Sequence, residues 1–326
     1  MKIKIYDKDL TSVLFIDGQF VSCLWSEGYN TIGSFCLELI DTAEYRKKIR
    51  EDFYAGRSDR PTLMVIKTVE FLDGRIIASG KQATAVLDDV AMIGTIQAGT
   101  NIDTSVKNAY NGSTKFRGLN FAETDMGIKS THQISNTSFW DVCSTLCADT
   151  DLGIRVKRSP SGLLAEFYKP EENPNLVFSK QYGNLSEPKI TLSTEGAKNY
   201  AIVFGQGEGA NRTYTTVDMT GGQDRRELVV DAKDLQMDDG ETTENYLKRL
   251  ESRGIEKLLE HQNVFSCSFI PNGKDFGVRY GLGDVLTVHL GEYGLKLKAR
   301  VAKFTQKSQK NKTETTVEVG KITIVR

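Results

Sequence analysis

A loop with three glycines is the part of this sequence that comes closest to a nucleotide-binding element. Within residues 199–218, Gly205, Gly207 and Ala210 follow an apolar segment with the spacing G-x-G-x-x-A, as in a dinucleotide-binding turn. That turn requires a helix next, because the helix N-terminus supplies the N–H groups that hold a pyrophosphate. The segment Arg212–Val217 follows instead, and its β-branched residues favour a strand. The sequence therefore predicts a wide hairpin turn and no dinucleotide site.

Two further motifs contain residue types that bind metals, but neither has the required spacing. The D-x-D-x-G motif at residues 149–153 resembles the start of a calcium loop, yet the sixth and twelfth positions of that loop are Ile154 and Pro160. An EF-hand needs glycine and glutamate there. Cys143 and Cys147 lie four residues apart on a predicted helix without CxxC spacing, which is typical of buried core residues. We therefore predict no metal-binding residue.

The sequence has no recognisable catalytic motif. A nucleophile elbow, HExxH, a Walker loop and a paired cysteine and histidine are all missing, and His132, His261 and His289 lie in unrelated segments. The acidic pairs at residues 88–89 and 238–239 are sequence neighbours, which does not establish a facing geometry; a glycosidase pair separated in sequence stays open. We predict that the protein is not an enzyme and has no catalytic or cofactor-binding residues and no cofactor.

Two polar turns favour structural roles. Arg225 and Arg226 stand beside carboxylates; they could bind an anion, but an ion-pair network at a turn or subunit contact is favoured. Asp284 follows Gly283 at the start of a strand, where an aspartate can accept bonds from nearby backbone N–H groups and a glycine can adopt positive φ. We therefore expect a turn at Asp284 rather than a catalytic or metal site.

A basic hairpin near the C-terminus is predicted to be a solvated or partner-facing edge. Lys296, Lys298 and Arg300 alternate with apolar residues, so they share one strand face. Binding of nucleic acid usually adds aromatic residues between the charges, and Phe304 is the only one here. The basic residues of the hairpin are Lys296, Lys298, Arg300, Lys303, Lys307, Lys310 and Lys312.

Length and composition indicate a soluble protein of two or three domains. The chain has 326 residues, with 42 basic and 43 acidic side chains, so its net charge would attract neither nucleic acid nor an anionic membrane. The five cysteines are an odd number, which argues against a disulfide framework. No apolar run approaches the roughly 20 residues of a membrane span, and the N-terminus lacks a signal-peptide core. We expect synthesis in the cytoplasm without an export signal.

The first hundred residues are predicted to be mostly strands. Asp17-Gly18 and Asp73-Gly74 each separate two apolar runs, which predicts two hairpins. The residues from Gly33 to Leu39 alternate as in a strand, and Asp41 with Glu44 predicts a capped helix that continues to Phe53. A second helix is expected after Gly80, on the apolar residues Ala83, Val86, Leu87 and Val90.

The remainder is predicted to be an α+β insert followed by short strands. Residues 95–135 are polar and turn-rich, which indicates a mixed connection. Residues 136–190 contain a helix with Trp140, capped by Asn136 or Thr137, and a hairpin at Pro160–Gly162. From Ile190 onward strands and turns alternate, apart from a helix at residues 243–261. That helix places Leu247, Leu250, Ile255, Leu258 and Leu259 on one face. The last strands are VFSCSFI, DVLTVHL, LKLKARVAKF, TETTVEV and KITIVR.

Six motifs in order resemble the tail-hub (baseplate hub, tail-associated) proteins of long-tailed bacteriophages and prophages. None is specific alone, but their order extends over nearly the whole chain, from residue 24 to residue 288. They are Leu24-Trp25…Gly28-Tyr29…Gly33-Ser34-Phe35-x-Leu37-Glu38-Leu39; Gly80 with its helix to Leu87; Val177-Phe178-Ser179…Gly183-Asn184-Leu185; Asn199-Tyr200-Ala201-x-Val203-x-Gly205…Arg212; Arg225-Arg226-Glu227-x-x-Val230-Asp231-Ala232; and Tyr280-x-Leu282-Gly283-Asp284-x-Leu286-Thr287-Val288.

The resemblance implies a β-rich α+β fold with two β-barrel, tube-like domains and α+β insertions. We accordingly expect an N-terminal barrel with short helices at residues 1–110, a connection and α+β insert at 111–190, and a second barrel at 191–326 that carries the helix at 243–261. Three such chains would form a ring with six similar positions, which can dock on a sixfold tail tube. A cyclic trimer needs two different contact surfaces on each chain.

The resemblance also implies a location in the virion and a set of binding partners. The protein would be a virion component of the tail tip, assembled in the cytoplasm of the bacterial host. Its partners would be two further copies, tail-tube and distal tail proteins, the tape-measure protein and receptor-binding or fibre proteins. DNA would pass through the channel without sequence-specific binding. Many relatives continue into a lysin or fibre-binding region; this sequence ends after KITIVR, so wall degradation is not expected.

Two alternatives stay open at this point. A carbohydrate-binding module of the host surface would need an exposed aromatic cluster, whereas Trp25 and Trp140 lie in apolar patterns. A peptidoglycan hydrolase would need converging carboxylates, which adjacency in sequence cannot reveal.

Overall fold

The computed structural model describes residues 1–113, 118–131, 133–262, 264–271, 275–309 and 312–324. The chain divides into two compact units: the first comprises Met1–Lys189 with Cys267–Arg326, and the second comprises Ile190–Ser266. Both units contain more strand than helix, so the predicted β-rich fold is confirmed. No helix in these ranges is long and apolar enough to cross a membrane.

Seven strands begin the first unit, and their alternating side chains form one core. In β3 and β4 the residues Trp25, Phe35 and Leu37 point inward and are almost fully buried, as expected where successive side chains face opposite sides of a sheet. The elements are β1 (Lys2–Tyr6), β2 (Ser12–Asp17), β3 (Ser22–Gly28), β4 (Ser34–Ile40), α1 (Ala43–Lys48), β5 (Tyr54–Arg57), β6 (Leu63–Leu72) and β7 (Arg75–Gln82).

One of the two predicted Asp-Gly hairpins is correct and the other is wrong. Asp73-Gly74 joins β6 to β7, which pair antiparallel directly beside the turn. Asp17-Gly18 turns the chain, with Gly18 at φ +70°, but β2 pairs with β1 and β3 pairs with β4. Burial decides this pairing, because Ile3 of β1 is completely buried in the same core as β2.

The first predicted helix is shorter than expected and has a different cap. Thr42 is the N-cap residue of α1, and its hydroxyl accepts a bond from the backbone N–H of Tyr45 (3.1 Å). Asp41 instead forms an ion pair with Arg46 (2.5 Å). The helix ends at Lys48, so Phe53 lies outside it.

The middle of the first unit forms a second core. The helix predicted after Gly80 is only a five-residue 3₁₀ turn, fully buried, and the N-cap of α3 is Ser138 rather than Asn136 or Thr137. The predicted hairpin at Pro160–Gly162 is confirmed. The elements are the 3₁₀ helix (Ala83–Leu87), β8 (Ala91–Ile96), α2 (Ile102–Gly112), β9 (Leu119–Phe121), β10 (Ile134–Ser138), α3 (Phe139–Thr150), β11 (Gly153–Ser159) and β12 (Gly162–Tyr168).

The interpretation of residues 95–135 as a turn-rich connection missed a helix. Asn101 caps α2 by accepting a bond from Thr104 N–H (3.3 Å). The ring centroid of Tyr110 lies 5.0 Å from that of Phe121 and 5.4 Å from that of Phe139. The buried positions of α2 recur every four residues among polar neighbours. The apolar face of this helix is therefore narrow and gives only a weak helical pattern in the sequence.

The second unit is a three-stranded sheet covered on one face by a helix. The order of its strands is β16, β15, β17. Tyr246, Leu250 and Gly254 of α4 are buried against this sheet, whereas Ile255 and Leu259, which were expected on the same face, are 43% and 54% exposed. The elements that follow β12 are β13 (Glu172–Ser179), β14 (Leu185–Ser193), β15 (Tyr200–Phe204), a 3₁₀ turn (Gly209–Asn211), β16 (Tyr214–Asp218), β17 (Glu227–Asp231) and α4 (Thr243–Glu260).

The last strands complete the large sheet of the first unit. TETTVEV and the described part of KITIVR, predicted as two strands, form one continuous strand, β21, which is described as far as Ile324. The elements are β18 (Val264–Pro271), β19 (Val285–Leu290), a 3₁₀ turn (Gly291–Tyr293), β20 (Leu295–Gln309) and β21 (Lys312–Ile324). The sheet has 13 strands, in the order β14-β18-β21-β20-β3-β4-β7-β6-β5-β1-β2, with β19 also beside β20 and β13 beside β19.

Strand β20 changes its partner along its length. Its first part, residues 295–300, pairs with β19, and its second part, residues 303–309, pairs with β3. Near the junction of these parts the register with β21 shifts twice, between Lys298 and Arg300 and between Val301 and Lys303, which bends the strand. The pairings among the described residues do not join β2 back to β14, so the two-barrel architecture stays a prediction.

Gly254 provides a test of the packing of α4. A Cβ at Gly254 would lie 2.7 Å from Cγ2 of Val203 and 2.8 Å from Cγ2 of Val217, so we expect Gly254→Ala to destabilise the second unit by about 1–3 kcal/mol. The control is Gly112→Ala in α2, where a Cβ meets nothing within 4 Å; helix propensity predicts a gain of up to about 1 kcal/mol there. Urea unfolding measures both. A neutral Gly254→Ala variant would contradict the close approach.

Candidate functional site

The three-glycine loop is a hairpin turn closed by an arginine. Strands β15 and β16 pair antiparallel on either side of it, which confirms the predicted hairpin. Arg212 donates from Nε to the carbonyl of Gly205 (2.8 Å) and from Nη2 to that of Phe204 (2.9 Å). The only helical segment of the loop is the three-residue 3₁₀ turn, so the loop offers no helix N-terminus to a phosphate.

The Arg225-Arg226 turn contains the predicted ion pair. Arg225 lies 2.7 Å from Glu227 and 3.4 Å from the ring centroid of Tyr200. The carbonyl of Arg226 accepts bonds from the backbone N–H groups of Asn199 and Tyr200. Whether this turn is also a subunit contact stays a prediction.

The C-terminal basic residues are largely neutralised within the chain. The predicted alternation is confirmed, because the exposed Lys296 and Lys298 flank the buried Leu297. Lys298 pairs with Glu172, and Arg300 lies 3.6 Å from Asp151. Lys303 and Lys312 pair with Glu318 (3.6 Å) and Glu314 (2.6 Å). Lys310 and His132 lie outside the described residues.

Asp284 forms the predicted turn, and the helical cysteines are core residues, as predicted. The Asp284 carboxylate accepts bonds from the N–H groups of Gly281 (2.7 Å) and Glu171 (2.8 Å), and Gly283 has φ +87°. Cys143 is completely buried in the core, and burial raises the pKa of its thiol. Within the described ranges, no group of three or more histidine, cysteine, aspartate or glutamate side chains could hold a metal ion.

The feature that the sequence analysis missed is a buried arginine cluster in the first unit. We define it as Trp25, Glu27, Arg57, Arg60, Phe276, Tyr280 and Phe304. Strand β3 supplies the first two residues, β5 and the turn before β6 supply the arginines, and Phe276 and Tyr280 lie between β18 and β19. The alternation in β3 could have indicated a buried acid, because Glu27 shares the inward face of the strand with Cys23 and Trp25.

Glu27 is a carboxyl group in the interior. It is 3% exposed, accepts a bond from Nε1 of Trp25 (2.7 Å) and lies 3.9 Å from Nε of Arg60. Burial raises the pKa of Glu27, while Arg60 and then Arg57 oppose that shift. Burial dominates because moving a carboxylate out of water costs more free energy than its attraction to one cation at this distance provides.

Arg60 packs beside a stacked pair of aromatic rings. Its guanidinium carbon lies 4.2 Å from the ring centroid of Phe276 and 4.1 Å from that of Phe304, and the two rings stack 4.1 Å apart. Gly277, at φ +82°, permits the close approach, because a Cβ there would lie 2.9 Å from Nη1 of Arg60. Burial lowers the pKa of Arg60.

Arg57 completes the cluster. It donates from Nε (2.9 Å) and Nη2 (2.6 Å) to the carboxylate of Asp59 and packs over the ring of Trp25 at 5.4 Å. No hydrogen-bond partner within the described chain is found for Arg57 Nη1, Arg60 Nε or the Tyr280 hydroxyl, all of which are buried. Arg60 and Phe276 border two clefts of about 410 Å³ and about 630 Å³.

Glu27 predicts a specific pH dependence of stability. A raised pKa in the folded state stabilises the fold below the unfolded pKa, and this contribution is lost as the pH rises through the folded pKa. The wild type should therefore lose more unfolding free energy than Glu27→Gln does as the pH rises from 4.5 to 8. Urea unfolding at both pH values measures this. Glu70→Gln, at an exposed position, is the control, and parallel curves for Glu27→Gln and the wild type would contradict the assignment.

Three solved structures of tail proteins share the fold over nearly their full lengths. The 43 kDa tail protein of prophage MuSo2 from Shewanella oneidensis is 11% identical, with 98% of each chain covered and a TM-score of 0.62. The tail protein from Neisseria meningitidis MC58 is 11% identical, covering 97% of this chain and 95% of that one, with a TM-score of 0.61. Prophage tail protein gp18 from Listeria monocytogenes EGD-e is 12% identical, covering 98% and 94%, with a TM-score of 0.56. At these identities the likeness shows the fold.

The sequence comparison gives the family. None of the curated proteins compared with the chain matches it. A family model described as Siphovirus ReqiPepy6 Gp37-like protein matches residues 2–321, which confirms the predicted relation to long-tailed phage tail proteins. The chain therefore belongs to the siphovirus ReqiPepy6 Gp37-like family.

Proposed function

We propose that this protein is a trimeric hub of a phage or prophage tail tip, which connects the tail tube to the distal baseplate and surrounds the channel through which DNA leaves. The observation that carries the proposal is the shared fold: at least 97% of the chain superimposes on tail proteins from three bacteria. Family membership over residues 2–321 supports the same virion role. The work of such a protein is mechanical, and it needs rigid shape rather than reactive groups.

The proposal includes two joined β-barrels around residues 1–110 and 191–326, with 111–190 between them. Support comes from β20, whose two parts pair with β3 and with β19. One strand would then contribute to both barrel walls, with the bend at its register shifts separating them. Backbone hydrogen bonds across a shared strand resist shear between the barrels, as a channel wall requires.

The subunit contact that we propose involves the second unit. The three-glycine loop and the Arg225-Arg226 turn lie at opposite ends of its sheet, on the strands β15 to β17. On the face away from α4, Tyr214 and Val229 are 60% and 67% exposed, in line with Phe204 and Ile202 of β15. The flanking charges are paired within the chain, so this face suits a neutral apolar surface such as a second copy.

Direct imaging tests the proposed hub. The full chain, mixed with the tail proteins encoded beside it, should form rings of three copies that cap tail tubes in cryo-electron micrographs. Sedimentation of the chain alone should show the mass of three copies. A stable monomer that also fails to associate with tail tubes would contradict the hub role.

Val229→Glu tests the contact surface. Introducing an unpaired carboxylate into a buried contact costs several kcal/mol, so the variant should sediment as a monomer where the wild type sediments as a trimer. Ile93→Glu, at a 77% exposed position of β8, is the matched control and should stay trimeric. Circular dichroism verifies that both variants fold. A trimeric Val229→Glu variant would exclude this face from the contact.

A further inference from the structure

We propose that the arginine cluster and the larger cleft beside it form a binding site for the carboxylate of an acidic peptide. This inference concerns a site distinct from the subunit contact and goes beyond the hub role. The inference rests on three observations: buried hydrogen-bond donors without a partner, a buried arginine without a hydrogen-bonded counter-ion, and the volume and lining of the cleft.

The cluster has more hydrogen-bond donors than acceptors. Among the described residues, Arg57 Nη1, Arg60 Nε and the Tyr280 hydroxyl are buried without a partner, and the side chains of Arg57 and Arg60 are only 3% and 7% exposed. A buried polar group left unsatisfied is costly, more so when it is charged, and native structures rarely leave several in one place. Two guanidinium N–H groups and one hydroxyl in the same cluster point to an acceptor supplied from outside the chain.

The charges in the cluster are also unequal. Asp59 neutralises Arg57 from the surface, where its side chain is 57% exposed. The carboxyl of Glu27 is the buried acid nearest to Arg60, but it makes no hydrogen bond to Arg60, and Trp25 occupies one of its oxygens. Burial raises the pKa of Glu27 and so favours its neutral form. Arg60 therefore has no hydrogen-bonded counter-ion among the described residues, and a stacked pair of phenyl rings lies beside it.

The cleft of about 630 Å³ fits a peptide segment better than a single ion. Its lining includes Arg57, Arg60, Phe276 and Phe304, together with Gln306 of β20 and Thr315 of β21. A guanidinium binds a carboxylate through two parallel N–H groups. The Gln306 amide donates to the Thr315 hydroxyl (3.1 Å), and its carbonyl oxygen can accept a bond from a peptide N–H group. Since the unpaired donors are recessed, a ligand engages them after a small rotation of the arginine side chains.

Asp59 selects for a carboxylate over a phosphate. Its exposed carboxylate also lines the cleft, so it repels an incoming anion. With Asp59 paired to Arg57, Arg60 is left to balance a ligand, and one carboxylate matches its charge whereas a phosphate with nearly two negative charges exceeds it. The aromatic walls further favour the apolar stem of a glutamate or aspartate side chain.

Calorimetric titration of the full chain tests the site with defined peptides. The probes are Ac-Ala-Glu-Ala-NH2, its glutamine counterpart, the free acid Ac-Ala-Ala-Ala-OH and sodium phosphate. We expect the glutamate peptide or the free acid to bind, and the glutamine peptide and phosphate to bind at least about tenfold more weakly. The two carboxylate peptides distinguish a side chain from a chain terminus as the source.

Substitutions test whether the peptide binds at the arginine cluster. Arg60→Gln should weaken peptide binding at least about tenfold, and Arg60→Lys should weaken it less, because charge is kept while the planar fork is lost. Arg75→Gln, whose partner is the surface residue Glu38, is the matched control and should bind as the wild type does. If Arg60→Gln does not fold, Gln306→Ala and Thr315→Ala in the cleft lining replace it and should each weaken binding.

Each result of these titrations either supports or overturns the proposed carboxylate site. Absence of binding by both carboxylate peptides at about 10 mM, equal binding of the glutamine peptide, or equal binding of phosphate would each overturn the proposal. Unchanged binding by every cleft variant would also overturn it. Binding of either carboxylate peptide that Arg60→Gln or the cleft-lining variants weaken would support it.

Discussion

Backbone hydrogen bonding along one edge of β20 is the constraint on which the first unit depends. Residues 295–300 pair with β19 and residues 303–309 pair with β3, so a single strand connects segments near both ends of the chain. Every N–H and C=O in a buried strand needs a partner. The register shifts opposite β21 let the strand turn from one partner to the other. Displacing β20 would expose both ladders at once.

The arginine cluster follows from that pairing. Phe304 belongs to the part of β20 beside β3, and Glu27 lies directly opposite it in the register. The same contact therefore brings an aromatic ring of β20 and a carboxyl of β3 to Arg60. Buried charges add little to stability by themselves, which makes an interior with two arginines, one acid and unpaired donors unusual for a purely structural core. The fold is that of tail proteins, and the cluster is a separate feature within it that we propose as a ligand-binding site.

The second unit shows how one helix decides which side of a sheet is left open. Helix α4 buries Tyr246 and Leu250 against one face, and Gly254 lets its backbone approach the valines there. The opposite face keeps Tyr214 and Val229 exposed. Apolar residues on an otherwise paired and neutral surface are a common mark of a protein contact. The elements singled out by sequence, the three-glycine loop and the arginine turn, border this face.

The sequence by itself determined the local structure: the hairpins at Asp73-Gly74 and Pro160–Gly162, the three-glycine turn, α4 and the turn at Asp284. In each of these the deciding interactions lie within a few residues, where φ preferences, β-branching and helical periodicity act. The order of motifs also determined the family. Tertiary structure alone decided that β1 rather than β3 pairs with β2, that Glu172 and Asp151 pair with basic residues of β20, and that Glu27 lies beside Arg60. These contacts join residues far apart in sequence, and burial free energy summed over a whole core selects them, which no local pattern records.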